Sequence, residues 1–398
     1  MTLEADPARF DADVSILERT SAIVPLLRDN AQTTDTGGRV AAESMDAMAE
    51  AGIFKITLPR RYGGYECSVA TQVEVLCELA RGCGASSWVA AVYSVCTWLA
   101  GLFADEAQDE LFGETPDGRL AGVLTPTSSA REVNGGYRMS GRWAFNTGCL
   151  DARWAVLGAM CDRSATDSEH LLALIPYTEL EIHDDWYVAG LRGTGSRSVS
   201  ANDVFVPDHR VLSLREAIAG RSRTKTNTAR PLFRAAVAPF VAANSAGTPL
   251  GLGRAALEAF MERLPGRGIT FTTYADQSTA PVTHLQVGEA AIRLESAELH
   301  ARRAAQLVDA KALAGDPYSV QERARVRMDL SWVTELARSA ASILYEASGA
   351  TAIHEGVPIQ RIWRDIHALS LHATLNPKTS LEMYGRVLCG LEPQTTAL

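Results

Sequence analysis

The sequence is poor in several of the features that mark particular functional classes. It has 398 residues but only seven cysteines, at 67, 77, 83, 96, 149, 161 and 389, an odd number with no C-x-x-C among them. That spread suits reduced thiols in a cytosolic protein and argues against a disulfide framework or a cysteine zinc site. Excess positive charge is absent too. The formal net charge is −9, and the one basic cluster, "GRSRTKTNTAR" at 220–230, contains no aromatic residue. Nucleic acid is therefore excluded as a partner, and that cluster reads as a solvated loop. No apolar run is long enough for a membrane span, and the acidic start "MTLEADPARFDADVS" lacks the basic and apolar segments of a signal peptide. With 46% apolar and 21% charged residues, the chain is an ordinary globular protein large enough for two or three structural units.

Three segments differ in character. Residues 1–118 read as helical. Val40, Met45, Met48, Ala49 and Ile53 recur at helical spacing until Gly52 stops the run, and "TQVEVLCELARGCGASSWVAAVYSVCTWLAGLF" reads as two buried apolar helices broken at Gly82–Gly84. Residues 119–215 carry short runs bounded by Gly, Asn, Asp and Pro, such as "GYRMSGRWAFNTG" and "VSANDVFVPDHRVL", which predict a small β-domain. After a linker, residues 230–398 return to long amphipathic helices suited to a bundle. Leu285, Ile292 and Leu299 recur every seven residues, a stripe suited to packing against another subunit.

Helices, then a small β-domain, then a helical bundle is the order of the acyl-CoA dehydrogenase fold, and the local sequence resembles that superfamily along nearly the whole chain. "MAEAGIFKITLPRRYGG", "NGGYRMSGRWAFNTG" and "GLRGTGSRSVSANDVFVPDHRVL" carry the likeness. The expected fold is α+β, mainly α, with an N-terminal helical domain, a small middle β-barrel and a C-terminal four-helix bundle. "TYADQSTAPVTHLQVGEAA" and "RIWRDIHALSLHATLNPKTSLEMYGRVLCGLEP" are most similar to the oxygenase component of two-component flavin monooxygenases. The resemblance implies reduced FMN or FAD supplied by a separate flavin reductase, O2 as co-substrate, and a homotetramer. Hydroxylation of a small phenol, aromatic polyketide or amine through a C4a-hydroperoxyflavin would follow. Two alternatives stand beside it: a dehydrogenase or oxidase with a displaced base, and a non-catalytic scaffold of the same fold.

An acyl-CoA dehydrogenase needs a glutamate to take the substrate α-proton. The position that most members use, counted from Arg364–Asp365, is Ala373 here, and the region of the second known position has no Asp or Glu from Ala217 to Leu257. His372 stands where the dehydrogenase motif has its tyrosine. The resemblance makes it a catalytic residue near the flavin, and an imidazole titrating near neutrality would both hold and protonate a peroxide there. His367 is five residues earlier. On one helix that is about 500°, leaving the rings roughly 140° apart, which disfavours a zinc pair and makes His367 a packing residue.

The resemblance also places Thr147 against flavin N5, with Asn146 as its neighbour in register. One of Trp143 and Phe145 would cover a ring face. Thr125 and Ser128, then Arg192, Thr194 and Ser196 of the glycine-dense "LRGTGS", are further expected flavin contacts, and Arg267 would reach a neighbouring subunit's flavin phosphates. Related phenol hydroxylases carry a substrate-facing histidine on the second apolar helix. This chain has Cys96 near that place; Tyr93, Cys96 and Trp98 are the candidate apolar substrate wall, with helix packing the favoured reading for them.

Overall fold

The computed structural model describes residues 11–164, 167–395 and 398. The acidic residues 1–10, on which the expectation about a signal peptide partly rests, lie outside it.

The N-terminal part holds α1 (Asp11–Asp29), α2 (Ala31–Gly37), α3 (Ala42–Ala51), α4 (Val69–Gly82), α5 (Gly84–Ala100) and α6 (Asp105–Phe112). Gly52 ends α3 with φ 84°, a conformation open to glycine. Cys83 breaks α4 from α5 with extended backbone, φ −150° and ψ 117°. Gly84 opens α5 because a Cβ there would lie 2.5 Å from the Leu252 side chain. Every residue of α5 except Val92 is buried. An all-round apolar helix needs cover on every side, and α5 packs against α4, the sheet and the C-terminal helices.

Eight strands follow: β1 (Leu120–Val123), β2 (Ser128–Val133), β3 (Gly136–Trp143), β4 (Trp154–Ser164), β5 (Asp167–Pro176), β6 (Glu181–Ile182), β7 (Val199–Pro207) and β8 (Val211–Ser213). Their order is β6-β7-β3-β2-β4-β5-β8, with β1 also beside β4. β4 pairs in parallel with β1 and β2, whereas the other ladders are antiparallel. Among the described residues no ladder joins β6 to β8, so the expected barrel is a sheet unclosed by hydrogen bonds. Met139, Trp143, Leu157, Ile175, Val199 and Val206 form its own apolar core.

The rest is helical: α7 (Leu214–Ile218), α8 (Val237–Asn244), α9 (Gly247–Arg263), α10 (Pro281–Ala314), α11 (Val320–Ala347), α12 (Pro358–Leu369) and α13 (Pro377–Leu388). A full capping box starts α11, with Ser319 and Glu322 exchanging bonds. The basic loop at 220–230 is tied down by Asp105, which accepts from the Thr224 and Thr226 hydroxyls and from the Lys225 N–H. Among the described residues no helix is long and apolar enough to cross a membrane. All seven cysteines are thiols outside any disulfide, six of them buried.

Candidate active site

The Arg364–Asp365 pair near the end of α12 reaches into the sheet domain. Arg364 donates to the Ala189 carbonyl at 2.7 Å and pairs with buried Asp35 at 2.9 Å. Asp365 is buried, and its Oδ1 accepts the Leu191 N–H at 2.6 Å. Burial raises its carboxyl pKa to about 6, Asp35 adding and the Leu191 N–H, Arg364 and Arg361 opposing. The "LRGTGS" loop is thereby held tightly. Gly190 is obligatory because a Cβ would lie 2.2 Å from the Arg364 carbonyl oxygen. Leu191 takes φ 54°, a left-handed conformation that costs a non-glycine residue about 1–2 kcal/mol. The Asp365 bond offsets that strain.

This loop meets the turn after β3. Gly148 N–H donates to the Thr194 carbonyl at 3.0 Å, and Asn146 N–H to the Arg197 carbonyl at 3.2 Å. The Thr147 and Ser196 hydroxyls are 2.8 Å apart, Ser196 and Thr194 are 2.7 Å apart, and Thr194 donates to the Leu191 carbonyl at 2.8 Å. Three residues singled out from two separate motifs thus form one buried cluster. From below, the Tyr93 hydroxyl of α5 donates to the Gly148 carbonyl at 2.5 Å. Asn146 is fully buried; its Oδ1 accepts from the Tyr177 hydroxyl at 3.1 Å, and its Nδ2 has no partner.

His372 lies in the turn between α12 and α13, since α12 ends at Leu369. The helical-wheel comparison with His367 therefore does not apply. Its ring meets Trp88 of α5 edge-on, centroids 5.4 Å apart. Trp88 and Tyr93 are five residues apart on α5, about 7.5 Å of rise and about 140° of turn, so the helix meets His372 and the Thr147 turn through different faces. The side chain keeps open surface, yet desolvation pushes its pKa down to about 4, with the Arg327 charge adding to the effect. The imidazole is therefore neutral, which corrects the expectation of a group titrating near neutrality. Its tautomer follows from its neighbours: the Thr374 N–H donates to Nδ1 at 3.3 Å, with the Thr374 hydroxyl 2.8 Å away. Nδ1 is the acceptor, so the ring proton sits on Nε2.

The other expected residues are divided. Thr125 and Arg192 are exposed, whereas Ser128 spends its hydroxyl proton on the Gly158 carbonyl at 3.0 Å. Trp143 is core, its indole N–H bonded to Gly158 O at 2.7 Å; Phe145 is 72% exposed and lies edge-on to Trp186. Arg267 follows α9 and donates to the Ser348 carbonyl at 2.7 Å, apart from the hydroxyl cluster. Trp98 does not belong to a substrate wall. It is fully buried, stacked on Phe240 at 4.0 Å and bonded to the Leu232 carbonyl, because it lies about 140° around α5 from Tyr93. Cys96 is buried as well, with burial pushing its thiol up to about 12, and it packs near Gly122. His367 packs on Trp363 with ring centroids 4.3 Å apart and has Nδ1 2.8 Å from that residue's carbonyl. Sequence reasoning missed Trp88, Thr374 and the structural work of Asp365. Only Asp365 had a signal, as half of the Arg-Asp pair.

A flavin fits these groups. Its isoalloxazine ring carries both N–H donors and carbonyl or nitrogen acceptors, and the structure offers a buried, unpartnered Asn146 Nδ2 donor and an Nε2–H donor at His372. A buried donor without an acceptor costs about 1–3 kcal/mol, which a bound acceptor relieves.

Comparison with known proteins agrees. The family described as "Acyl-CoA dehydrogenase, N-terminal domain" matches residues 24–113, and "Acyl-CoA dehydrogenase, C-terminal domain" matches residues 243–377. The flavin-dependent monooxygenase oxygenase subunit HsaA of Rhodococcus jostii (strain RHA1) is 32% identical over 377 residues, 94% of this chain and 98% of that protein. The oxygenase component of the FADH(2)-dependent resorcinol hydroxylase of Rhizobium sp. (strain MTP-10005) is 32% identical over 403 residues, covering 99% and 98%. XiaF from Streptomyces sp., solved with FADH2 and glycerol, superposes with a TM-score of 0.92 at 32% identity, covering 98% of each chain. The chain belongs to the flavin-dependent monooxygenase oxygenase components built on the acyl-CoA dehydrogenase fold.

Proposed function

We propose that this protein hydroxylates a small aromatic substrate, using O2 and reduced FMN or FAD delivered by a separate flavin reductase. The observation that carries the reading is that both dehydrogenase base positions lack a carboxylate, while the Thr147 turn and His372 each contact α5. The carboxylates around the "LRGTGS" loop and the Thr147 turn are committed, Asp365 to the Leu191 N–H, Asp35 to Arg364 and Asp151 to Arg39. Reduced flavin, when bound, supplies the electrons that activate O2.

The protein's own share is positional. Thr147 and Asn146 would meet the central and pyrimidine parts of the ring, with Thr125, Ser128, Arg192, Thr194 and Ser196 around its edge. The His372 Nε2–H would donate a hydrogen bond to oxygen bound against it, and any proton needed there would come through water rather than from a charged imidazole. Buried apolar α5, with Trp88 and Tyr93, keeps bulk water from beneath the site. Phe145, beside Asn146, and Leu371, beside His372, are exposed at 72% and 76% and offer apolar surface to a substrate. The working units are residues 1–118, 119–215 and 230–398, in a cytosolic homotetramer. Arg267 reaches a neighbour's flavin phosphates, and the Leu285, Ile292 and Leu299 stripe on α10, 58–75% exposed in one chain, is covered by another copy. Seven cysteines outside any disulfide suit that compartment.

The test is to mix the protein anaerobically with reduced FMN or FAD and then admit O2. Slowed release of hydrogen peroxide, relative to free reduced flavin, supports the oxygenase. Reduction of bound oxidised flavin by an acyl-CoA ester would overturn it in favour of a dehydrogenase.

A further inference from the structure

The hydroxyls of Thr147, Ser196 and Thr194 form a chain whose polarity can be read without seeing a hydrogen. Each hydroxyl has one proton to give and lone pairs to receive. Thr194 Oγ1 lies 2.8 Å from the Leu191 carbonyl oxygen, which only accepts, so the Thr194 proton is spent there. Ser196, 2.7 Å away, must then donate to Thr194. Thr147, 2.8 Å from Ser196, must in turn donate to Ser196. All three residues are at least 94% buried, so water does not compete for these protons. Every proton in the series points toward Leu191, and Thr147 is left with lone pairs alone for anything that binds against it. The Leu191 end is anchored by Asp365 across the domain boundary.

We propose that Ser196 and Thr194 are positioning residues that make Thr147 an acceptor-only hydroxyl and thereby select reduced over oxidised flavin. The inference rests on the reading that Thr147 meets the flavin ring at N5. Reduced flavin carries N5–H there and finds an acceptor. Oxidised flavin presents a bare nitrogen lone pair and meets another lone pair. The consequence suits a protein that shares its flavin with a reductase: the reduced form is held, and the spent form is released for another cycle. Such discrimination needs no movement of the fold, because only the ligand's N–H changes between the two states.

The test is equilibrium binding, free of turnover. Dissociation constants for reduced and oxidised FMN and FAD are measured anaerobically for wild type, Ser196→Ala, Thr194→Val, Ser196→Thr and Thr147→Val, with thermal melts to confirm folding. In Ser196→Ala the Thr147 proton loses its acceptor and turns outward. Oxidised flavin should then bind about five- to tenfold more tightly, the effect of one gained hydrogen bond, while binding of the reduced form barely changes. Thr194→Val breaks the chain one link further on and should do the same, whereas Ser196→Thr should restore the wild-type ratio. A merely structural role would weaken both forms together and improve neither. Equal weakening, or an unchanged ratio, in Ser196→Ala and Thr194→Val while Thr147→Val shifts the ratio would overturn the polarity argument and leave the flavin contact standing. An unchanged ratio in Thr147→Val would instead remove Thr147 from the ring and sink the underlying reading. Should Ser196→Ala fail to fold, Thr194→Val carries the same test.

Discussion

Replacing Asp365 with asparagine should change how stability depends on pH, and the size follows from the structure. The carboxyl is buried against the "LRGTGS" loop, with its pKa raised from 3.8 to about 6 by desolvation first and Asp35 second. A raised acid favours folding in its protonated form. Its contribution is therefore fully present below the unfolded pKa and is lost as pH rises through the folded one. At about 1.36 kcal/mol per unit the total is about 3 kcal/mol, roughly half of it developing between pH 5 and 7. Asparagine resembles the protonated acid and still offers Oδ1 to the Leu191 N–H, now 2.6 Å from Asp365. Its Nδ2 brings a new donor that needs an acceptor, a constant offset of about 1–3 kcal/mol at every pH. The offset cancels in the difference between pH values, so the slope is the observable. Urea unfolding of the flavin-free protein from pH 5 to 8 should show the variant gaining about 1.5 kcal/mol on wild type. A difference that stays flat across that range would refute the argument that burial holds this carboxyl toward its neutral form.

Thr147→Ala should still bind reduced flavin but release more hydrogen peroxide per flavin oxidised; unchanged coupling to product would count against contact at N5. His372→Ala should slow productive oxygen transfer at least about tenfold, within the range for losing one positioned donor. Because its folded pKa lies near 4, the imidazole stays neutral above about pH 5. The wild-type rate should therefore show no His372-dependent break near pH 6.5, and a break there that vanishes in His372→Ala would contradict the neutral donor. His367→Ala should lower the melting temperature through lost packing on Trp363 and leave peroxide yield alone. Ile292→Glu on the α10 stripe should shift the assembly to smaller species in sedimentation, and an unaltered mass would remove that face from the interface.

Several features were legible in the chain because their physical causes are local. Apolar spacing marked the helices, Gly52 and the Gly82–Gly84 stretch marked two of their breaks, and alternation between turn residues marked the strands. The missing carboxylates at Ala373 and between Ala217 and Leu257 separated this chain from a dehydrogenase without any coordinates. Thr147, Thr194, Ser196 and His372 were each found by type and motif. Their relations were not, because these depend on which atom of one segment meets which atom of another. Thr147 and Ser196 are 49 residues apart and Asp365 is 174 from Leu191, distances over which sequence pattern carries no register. The sense of the hydroxyl chain follows from a single carbonyl at its end. The neutrality and tautomer of His372 follow from desolvation by the surrounding protein, a nearby Arg327 and the Thr374 N–H. Trp98 shows the converse: its place on α5 left both a binding wall and helix packing open, and its stacking on Phe240 makes it core. Local pattern determines which elements form, whereas the direction of a proton, the charge of a ring and the face a side chain presents are decided by tertiary contacts.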